Sequence, residues 1–294
     1  MTTITPPRFG LTHSTIRRIS EQYDVLPVTV WDLNHADKKL KIHKKTIGDD
    51  GDTRADSPVT NTYKTNVGSS KNNASIFNPN IIGSIFNLYK PPLEANIYDP
   101  FGGGGTRAII TAGQEDKYNY IGVEIREEEV ARINAKIARM EKDDKGINRL
   151  FGKIKMIHGS SEHVPDIPDQ WADMIITCPP YYNRERYNGG DDDISMALTY
   201  DEFLSKLNSV IDECYRILKP GCLAFWIVGL HRDKHGLIPI HHDLAILHRE
   251  GFIFQEEIIL HMKNTGSVQR IGNYLKGNHL LIRNHEYCLV FKKE

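Results

Sequence analysis

The sequence of 294 residues contains no Cys-x-x-Cys pair. Its four cysteines, Cys178, Cys214, Cys222 and Cys288, are far apart along the chain, so neither a zinc knuckle nor a disulfide framework is indicated. Reduced thiols are typical of cytoplasmic proteins. We therefore expect a cytoplasmic protein without a metal site.

Long apolar runs are also missing. No stretch approaches the roughly 18 consecutive apolar residues that indicate a membrane-spanning helix. The opening residues, MTTITPPRFGLTHSTIRR, contain no apolar core of the kind found in signal peptides. We expect a soluble protein that is not exported and has no membrane partner.

An excess of positive charge is absent as well. The 37 Lys and Arg residues are balanced by 38 Asp and Glu residues, which gives a formal net charge of −1. A nucleic-acid partner would therefore have to be held by local basic patches and not by a globally basic surface.

The chain divides into two parts that differ in polarity and in the pattern of apolar residues. Residues 1–70 are polar, with a lysine cluster between Lys38 and Lys45 and a turn-rich stretch, IGDDGDTRADSP, and we interpret them as a partly irregular arm. Residues 71–294 form the second part, in which short apolar runs alternate with amphipathic ones from Asn96 onward. This alternation is typical of an α/β domain whose parallel sheet is covered by helices.

Seven strands and two clear helices are predicted in this second part. The strands are Asn96–Tyr98, Tyr120–Glu124, Ile154–His158, Met174–Cys178, Leu223–Val228, Ile253–Met262 and Glu286–Phe291. The helices are Glu127–Lys142 and Tyr200–Leu218, in which apolar residues recur at helical spacing.

Four consecutive glycines follow the first of these strands and lead into an apolar helix, RAIITAG. Glycine lets the backbone approach a ligand closely and adopt positive φ. Glu124 ends the next strand, about twenty residues after the glycine turn, where a carboxylate can accept hydrogen bonds from both hydroxyls of a ribose. The alternative is a solvated carboxylate within the Glu-rich segment EIREEE.

The glycine turn also carries a family resemblance. Asp99–Thr106, DPFGGGGT, resembles the Asp-Pro-Phe-x-Gly-x-Gly-Thr motif of DNA amino-methyltransferases at every fixed position, which disfavours a Rossmann dehydrogenase. The resemblance implies a Rossmann-like, seven-stranded S-adenosyl-L-methionine-dependent methyltransferase fold. It also implies that this loop surrounds the methionine part of that cofactor, with contacts from Asp99, Phe101, Gly103, Gly105 and Thr106.

Two further segments are expected near the cofactor. Ser75-Ile-Phe77-Asn78-Pro resembles the segment that holds the methionine carboxylate in these enzymes, although an Asn-Pro turn capping a helix explains the same residues. After the third predicted strand the family often has Asp against the adenine, whereas this chain has Ser160 and Ser161, whose hydroxyls can still form hydrogen bonds.

The fourth predicted strand runs into Cys178-Pro179-Pro180-Tyr181, and two prolines cannot continue a strand. The tetrapeptide resembles the (Asp/Asn/Ser)-Pro-Pro-(Tyr/Phe/Trp) signature of enzymes that methylate adenine N6 or cytosine N4. The resemblance implies that the Pro179 carbonyl and the residue before it accept the N–H groups of the target amine, while Tyr181 stacks on a flipped base.

Cys178 departs from that signature, because sulfur is a weaker acceptor than oxygen. A thiolate nucleophile of the cytosine-C5 type is a second interpretation, but the Pro-Cys order of those enzymes is missing. If Cys178 replaces Ser, the chain leans towards cytosine N4, and the target base stays open.

Two inserts carry the residues expected to contact nucleic acid. Residues 183–199 contain Arg184 and Arg186. Residues 261–285 contain Lys263, Arg270, Lys276 and Arg283. These basic residues can contact phosphates, although basic loops are often no more than solvated surface. The resemblance spans about residues 75–294 and is closest to phage and prophage DNA modification methylases.

The predicted function is methylation of an exocyclic amino group in double-stranded DNA with flipping of the target base. An RNA amino-methyltransferase and an inactive DNA-binding protein of the same fold are the alternatives. The sequence leaves open which DNA site is recognised, whether the protein forms a homodimer and whether it is paired with a restriction enzyme.

Overall fold

In the computed structural model of the protein, the described residues are 29–32, 77–142, 149–182, 192–233, 236–261 and 284–294. They form ten strands and five α-helices. The strands are β1 (Val30–Asp32), β2 (Asn96–Asp99), β3 (Asn119–Glu124), β4 (Ile154–His158), β5 (Ala172–Thr177), β6 (Leu218–Val228), β7 (His231–Asp233), β8 (Gly236–Ile238), β9 (Phe252–His261) and β10 (His285–Lys293). The helices are α1 (Pro79–Tyr89), α2 (Thr106–Ala112), α3 (Glu127–Lys142), α4 (Tyr200–Ile217) and α5 (Ile240–Leu247).

Eight of these strands form one sheet in the order β1-β9-β10-β6-β5-β2-β3-β4, and β7 pairs with β8 separately. All pairs in the large sheet are parallel except those of β10, which is antiparallel to β6 and to β9. The chain leaves β2 in one direction, through β3 to β4, and then returns to β5 on the other side of β2. In open α/β sheets, ligands bind at such a switch point, beyond the carboxyl ends of the strands.

Apolar side chains cover both faces of the sheet, as expected for parallel strands flanked by helices. One core layer contains Ile81, Ile110 and Ile133 from three helices together with residues of the strands. The other contains Phe203, Leu207 and further residues of α4. The central strand β5 is almost completely buried, and its apolar centre is Met174–Ile176.

Local sequence explains where the helices begin and end. Helix α3 has three glutamates in its first turn and basic residues in its last turn, which matches the helix dipole. Thr199 caps α4 by accepting a hydrogen bond from the Glu202 amide. None of the helices in the described part of the chain combines the length and apolar character needed to cross a bilayer.

The predicted Rossmann-like fold is confirmed. All seven predicted strands are present. Their ends differ by at most two residues from the prediction, apart from β6, which begins five residues earlier at Leu218 because a register shift lets it continue through Gly221.

Strand β1 lies in the segment interpreted as an arm and was not predicted, nor was the β7–β8 hairpin. Three residues are too few for a pattern, and β1 is held by its pairing with β9 and by the buried Trp31. The division at residue 70 stays a prediction.

Candidate active site

The glycine turn and the Cys-Pro-Pro-Tyr segment leave neighbouring strands at the same edge of the sheet. Strand β2 ends at Asp99 and pairs in parallel with β5, which ends at Thr177. The two loops therefore flank the switch point between β2 and β5. The fold brings together the two segments that the sequence assigned to cofactor binding and to catalysis.

Asp99 links these two loops. Its side chain is 0% exposed, and one oxygen, Oδ1, accepts hydrogen bonds from the Phe101 amide at 3.0 Å and the Thr177 hydroxyl at 2.8 Å. The other, Oδ2, accepts from Tyr120 at 2.6 Å and from Arg107 at 2.5 Å. Both carboxylate oxygens are thus engaged within the protein. The structure gives Asp99 a role in organising the loop, and its predicted contact with the cofactor stays a prediction.

Arg107 is a site residue that the sequence analysis missed. Its guanidinium is buried, pairs with Asp99, donates to the Phe101 carbonyl and lies 4.8 Å from the centre of the Phe77 ring. Although burial acts to lower the pKa of Arg107, Asp99, Tyr120 and Cys178 raise it above its ordinary value, so the side chain stays charged. An arginine inside the apolar helix sequence RAIITA was the available signal, because a buried charge requires a partner.

The glycine turn needs its glycines for two different reasons. Gly103 and Gly105 have φ of +54° and +79°, which residues with a Cβ rarely adopt. Gly102 donates its amide hydrogen to the Val123 carbonyl at 2.6 Å, and a Cβ there would lie 2.7 Å from Met156. The loop backbone is therefore fixed close to the end of β3, where Glu124 lies.

Glu124 provides a test of whether the residues at this edge of the sheet fit S-adenosyl-L-methionine. The residue is 7% exposed, and its Oε1 accepts hydrogen bonds from the amide and the Nε of Arg126 at 3.0 and 2.8 Å. Among the described residues, Oε2 has no hydrogen-bond partner. A nearly buried, unpaired carboxylate oxygen beside a glycine turn suits the hydroxyls of a ribose, so these residues fit the predicted cofactor.

The other predicted cofactor residues have different roles. The Ser161 hydroxyl is buried and donates to the Pro100 carbonyl, so it supports the glycine turn, while Ser160 accepts a hydrogen bond from the Glu162 amide at 3.3 Å. Asn78 caps α1 by accepting from the Asn80 amide at 3.1 Å, which is the capping arrangement considered from the sequence. Thr106 begins α2. Ser75 lies outside the described residues.

The predicted catalytic segment, Cys178–Tyr181, packs tightly against the sheet. Pro179, Pro180 and Tyr181 are buried, and Cys178 is partly buried against the core layer that contains Ile81. The Tyr181 side chain is 8% exposed, and its hydroxyl accepts a hydrogen bond from the Gly229 amide at 2.8 Å. With so little free ring surface, stacking on a base would require a change around Tyr181 when the base enters.

Tyr182 begins an aromatic group beside this segment. Its ring centre lies 5.3 Å from that of Tyr200 and 5.7 Å from that of Phe203, both on α4. These contacts fix the end of the catalytic segment to the first turn of the helix. The predicted nucleic-acid contacts lie outside the described residues, namely Arg184, Arg186, Lys263, Arg270, Lys276 and Arg283. Within the described ranges, no group of three or more His, Cys, Asp or Glu side chains is arranged to hold a metal ion.

Comparison with known proteins agrees with this geometry. Residues 172–294 match the N6/N4 methyltransferase family model, which is described as DNA methylase. The matched part, which is less than half of the chain, is thus similar to the N6/N4 DNA methylases. The match begins at β5 and includes the Cys-Pro-Pro-Tyr segment, so the family predicted from the sequence is confirmed. The narrower resemblance to phage and prophage enzymes stays a prediction.

The curated proteins similar to this chain include type II methyltransferases. The chain is 26% identical over 132 residues to M.MjaVI from Methanocaldococcus jannaschii, covering 45% of this chain and 65% of the relative. It is 28% identical over 104 residues to M.BglII from Bacillus subtilis, covering 33% and 27%. Each alignment thus spans less than two thirds of the relative's length. Among solved structures, a SAM-dependent methyltransferase from Methanosarcina mazei is similar with 14% identity and a TM-score of 0.44, covering 68% of this chain and 93% of that one.

Proposed function

We propose that this protein transfers a methyl group from S-adenosyl-L-methionine to an exocyclic amino group, adenine N6 or cytosine N4, in double-stranded DNA. The observation that carries the proposal is the hydrogen bond between Asp99 and Thr177, which ties the glycine turn to the residue before Cys178. Supporting it are the family match over residues 172–294 and the type II methyltransferases among its relatives.

The chain's own residues would bind and orient the two substrates. The glycine turn and Oε2 of Glu124 would hold the cofactor, which supplies an electrophilic methyl group when bound. The Pro179 carbonyl and the Cys178 sulfur would accept the two N–H groups of the target amine and direct its lone pair towards that methyl. Because an amine conjugated to its ring is a poor nucleophile, most of the catalysis would come from this positioning.

Tyr181 would contribute a stacking surface for a base turned out of the duplex. Its hydroxyl already has a partner in the Gly229 amide, so the end of the side chain is held before a base arrives. A side chain held in this way is preorganised for stacking once its surroundings open.

A methyl-transfer assay with isotopically labelled cofactor tests the proposal. The protein is incubated separately with unmodified duplex DNA, single-stranded DNA and transfer RNA, and each polymer is digested to nucleosides and analysed by mass spectrometry. N6-methyladenine or N4-methylcytosine in the duplex is the expected product. Label confined to RNA would support the RNA alternative. Measurable cofactor binding without label on any polymer would overturn the enzymatic function.

A further inference from the structure

Leu198 protrudes into solvent more than any other large hydrophobic side chain among the described residues, with 88% of its surface exposed. It lies between the 3₁₀ turn Ile194–Met196 and helix α4. Single exposed apolar residues are common and need no explanation by themselves. Two further features of Leu198 point to a function: the hydrogen bonds that hold its backbone, and its position at the edge of the sheet.

The backbone of Leu198 is fixed on both sides. Its amide donates a hydrogen bond to Oε2 of Glu202 at 2.9 Å, and its carbonyl accepts one from the Tyr182 hydroxyl at 3.3 Å. The next residue, Thr199, caps α4 through the Glu202 amide at 3.1 Å. Thr199 and Glu202 therefore form a capping arrangement that presents the leucine on a rigid turn.

Leu198 also stands at the catalytic edge of the sheet. Helix α4 connects the carboxyl end of β5 to the start of β6, and these two strands are parallel, so α4 begins at the edge where Cys178–Tyr182 lies. The hydrogen bond from Tyr182 connects Leu198 directly to the residue after Tyr181. A rigid apolar tip thus lies beside the place where the proposed function requires a base to leave its stack.

We propose that Leu198 is an intercalating wedge that enters the base stack of duplex DNA next to the flipped base. Turning a base out of the helix leaves a gap between its neighbours, and apolar side chains such as Leu and Met insert between base steps in other DNA-bending proteins. Leu198 supplies such a side chain on a backbone that is already held, beside the Cys178–Tyr182 segment. This inference rests on the proposed function.

Two observations favour a base stack over other occupants. Residues 192–202 contain acidic side chains but no Lys or Arg, so this turn offers no cationic side chain to phosphates, and its most exposed side chain is the apolar Leu198. A second copy of the chain is disfavoured because one leucine with the partly exposed Met196 offers far less than the roughly 1,000 Å² that a stable protein interface buries.

The test compares Leu198→Ala with Leu93→Ala. Leu93 is also an exposed leucine, 68% exposed, but it precedes β2 at the opposite edge of the sheet and serves as a matched control. Both variants are assayed for kcat/KM on a duplex that contains the methylated site identified with the wild-type protein. They are also assayed on the same duplex with an abasic position opposite the target base, which weakens the target's pairing.

We expect Leu198→Ala to lose about tenfold or more in kcat/KM on the paired duplex and to recover most of it on the weakened duplex, because an unpaired base is easier to extrude. Leu198→Met should retain wild-type kcat/KM, and cofactor affinity should be unchanged in all variants. If Leu198→Ala lost the same factor in kcat/KM on both duplexes, or lost nothing on either, the proposed wedge role of Leu198 would be overturned. If the wild-type and Leu93→Ala proteins both fail to methylate any DNA, it is the proposed function that fails.

Discussion

The Thr177 hydroxyl donates a 2.8 Å hydrogen bond to Oδ1 of Asp99, and both side chains are completely buried. This bond joins the last residue of β5 to the last residue of β2. The same carboxylate also binds Arg107, Tyr120 and the Phe101 amide, so the position of the residue before Cys178 depends on the network that shapes the glycine turn. Burial, followed by the effect of Asp99, raises the pKa of Tyr120 well above its ordinary value and keeps its hydroxyl protonated as a donor.

Thr177→Val should weaken this network. Valine has the shape of threonine but no hydroxyl, so Asp99 loses one of four donors in a buried site. We expect a loss of about 1.5–3 kcal/mol in the free energy of unfolding, measured in urea, because hydrogen bonds to charged groups contribute about that much. Methyl transfer should also fall, since the catalytic segment is less firmly placed.

Thr111→Val provides the matched control. The Thr111 hydroxyl is buried in α2 and has no hydrogen-bond partner within the described part of the chain. Removing an unsatisfied polar group should leave stability unchanged or raise it slightly. If the two variants lost the same stability, the bond between Thr177 and Asp99 would not be the cause.

Much of this fold could be predicted from local sequence patterns. The bounds of β4 and α3 agree with the predicted ones because their apolar spacing is regular and their ends carry turn residues or charges suited to the helix dipole. Strand β1 could not be predicted in this way, because three residues carry no periodicity and Val30–Asp32 is held only by its contacts with β9 and the core.

The candidate site was only partly predictable for a related reason. Motifs indicated the glycine turn, Glu124 and Cys178–Tyr181, but the partners of Asp99 come from α2, β3 and β5 and meet only after the sheet has formed. An arginine within an apolar helix indicates that Arg107 needs a partner, but the identity of that partner and the bond from Gly229 to Tyr181 are tertiary features that no local pattern shows. The same holds for Leu198, whose exposure depends on how the turn before α4 is packed.

Glu124→Gln should reduce the affinity for S-adenosyl-L-methionine. Glutamine keeps an oxygen for the Arg126 contacts but places an NH2 group where the unpaired Oε2 would accept from the ribose. We expect about tenfold weaker binding in calorimetric titration, because charge-assisted hydrogen bonds are the stronger ones. Glu128→Gln is the control, since Glu128 is an exposed carboxylate in the same Glu-rich segment. Equal affinities for the two variants would favour the interpretation of Glu124 as a solvated carboxylate.

Cys178→Ser should retain or increase the methylation rate. The hydroxyl has nearly the same shape as the thiol and is a better hydrogen-bond acceptor, so it should hold the target amine at least as well. Cys178→Ala removes the acceptor and should lower kcat by about tenfold, a barrier increase of about 1.4 kcal/mol. Single-turnover methylation with saturating cofactor measures both rates. Wild-type kcat in Cys178→Ala would show that this side chain does not contact the target amine.

His248 should make the stability depend on pH. Its buried ring stacks on Phe291 with centres 3.8 Å apart, and its Nδ1 lies 2.8 Å from the Leu244 carbonyl, which can only accept a hydrogen bond. The other nitrogen, Nε2, is buried and has no partner among the residues that the structure describes, so a second proton finds no acceptor there. Burial lowers the pKa of His248 to about 3, although the bond to Leu244 acts in the opposite direction.

The sign of the effect follows from the two pKa values. The unfolded chain takes up a proton near the ordinary histidine pKa of about 6.5, whereas the folded protein does not until the pH approaches about 3. The stability that neutral His248 contributes is therefore fully present above about pH 6.5 and decreases below it by up to about 1.4 kcal/mol per pH unit. His241, whose pKa is lowered to about 4 chiefly by burial, acts in the same direction.

Urea unfolding between about pH 7.5 and 5.5 measures the slope of the free energy of unfolding against pH. His248→Phe, which preserves the stacking on Phe291, should flatten this slope without abolishing it. An unchanged slope in this variant would show that His248 is not the group that resists protonation.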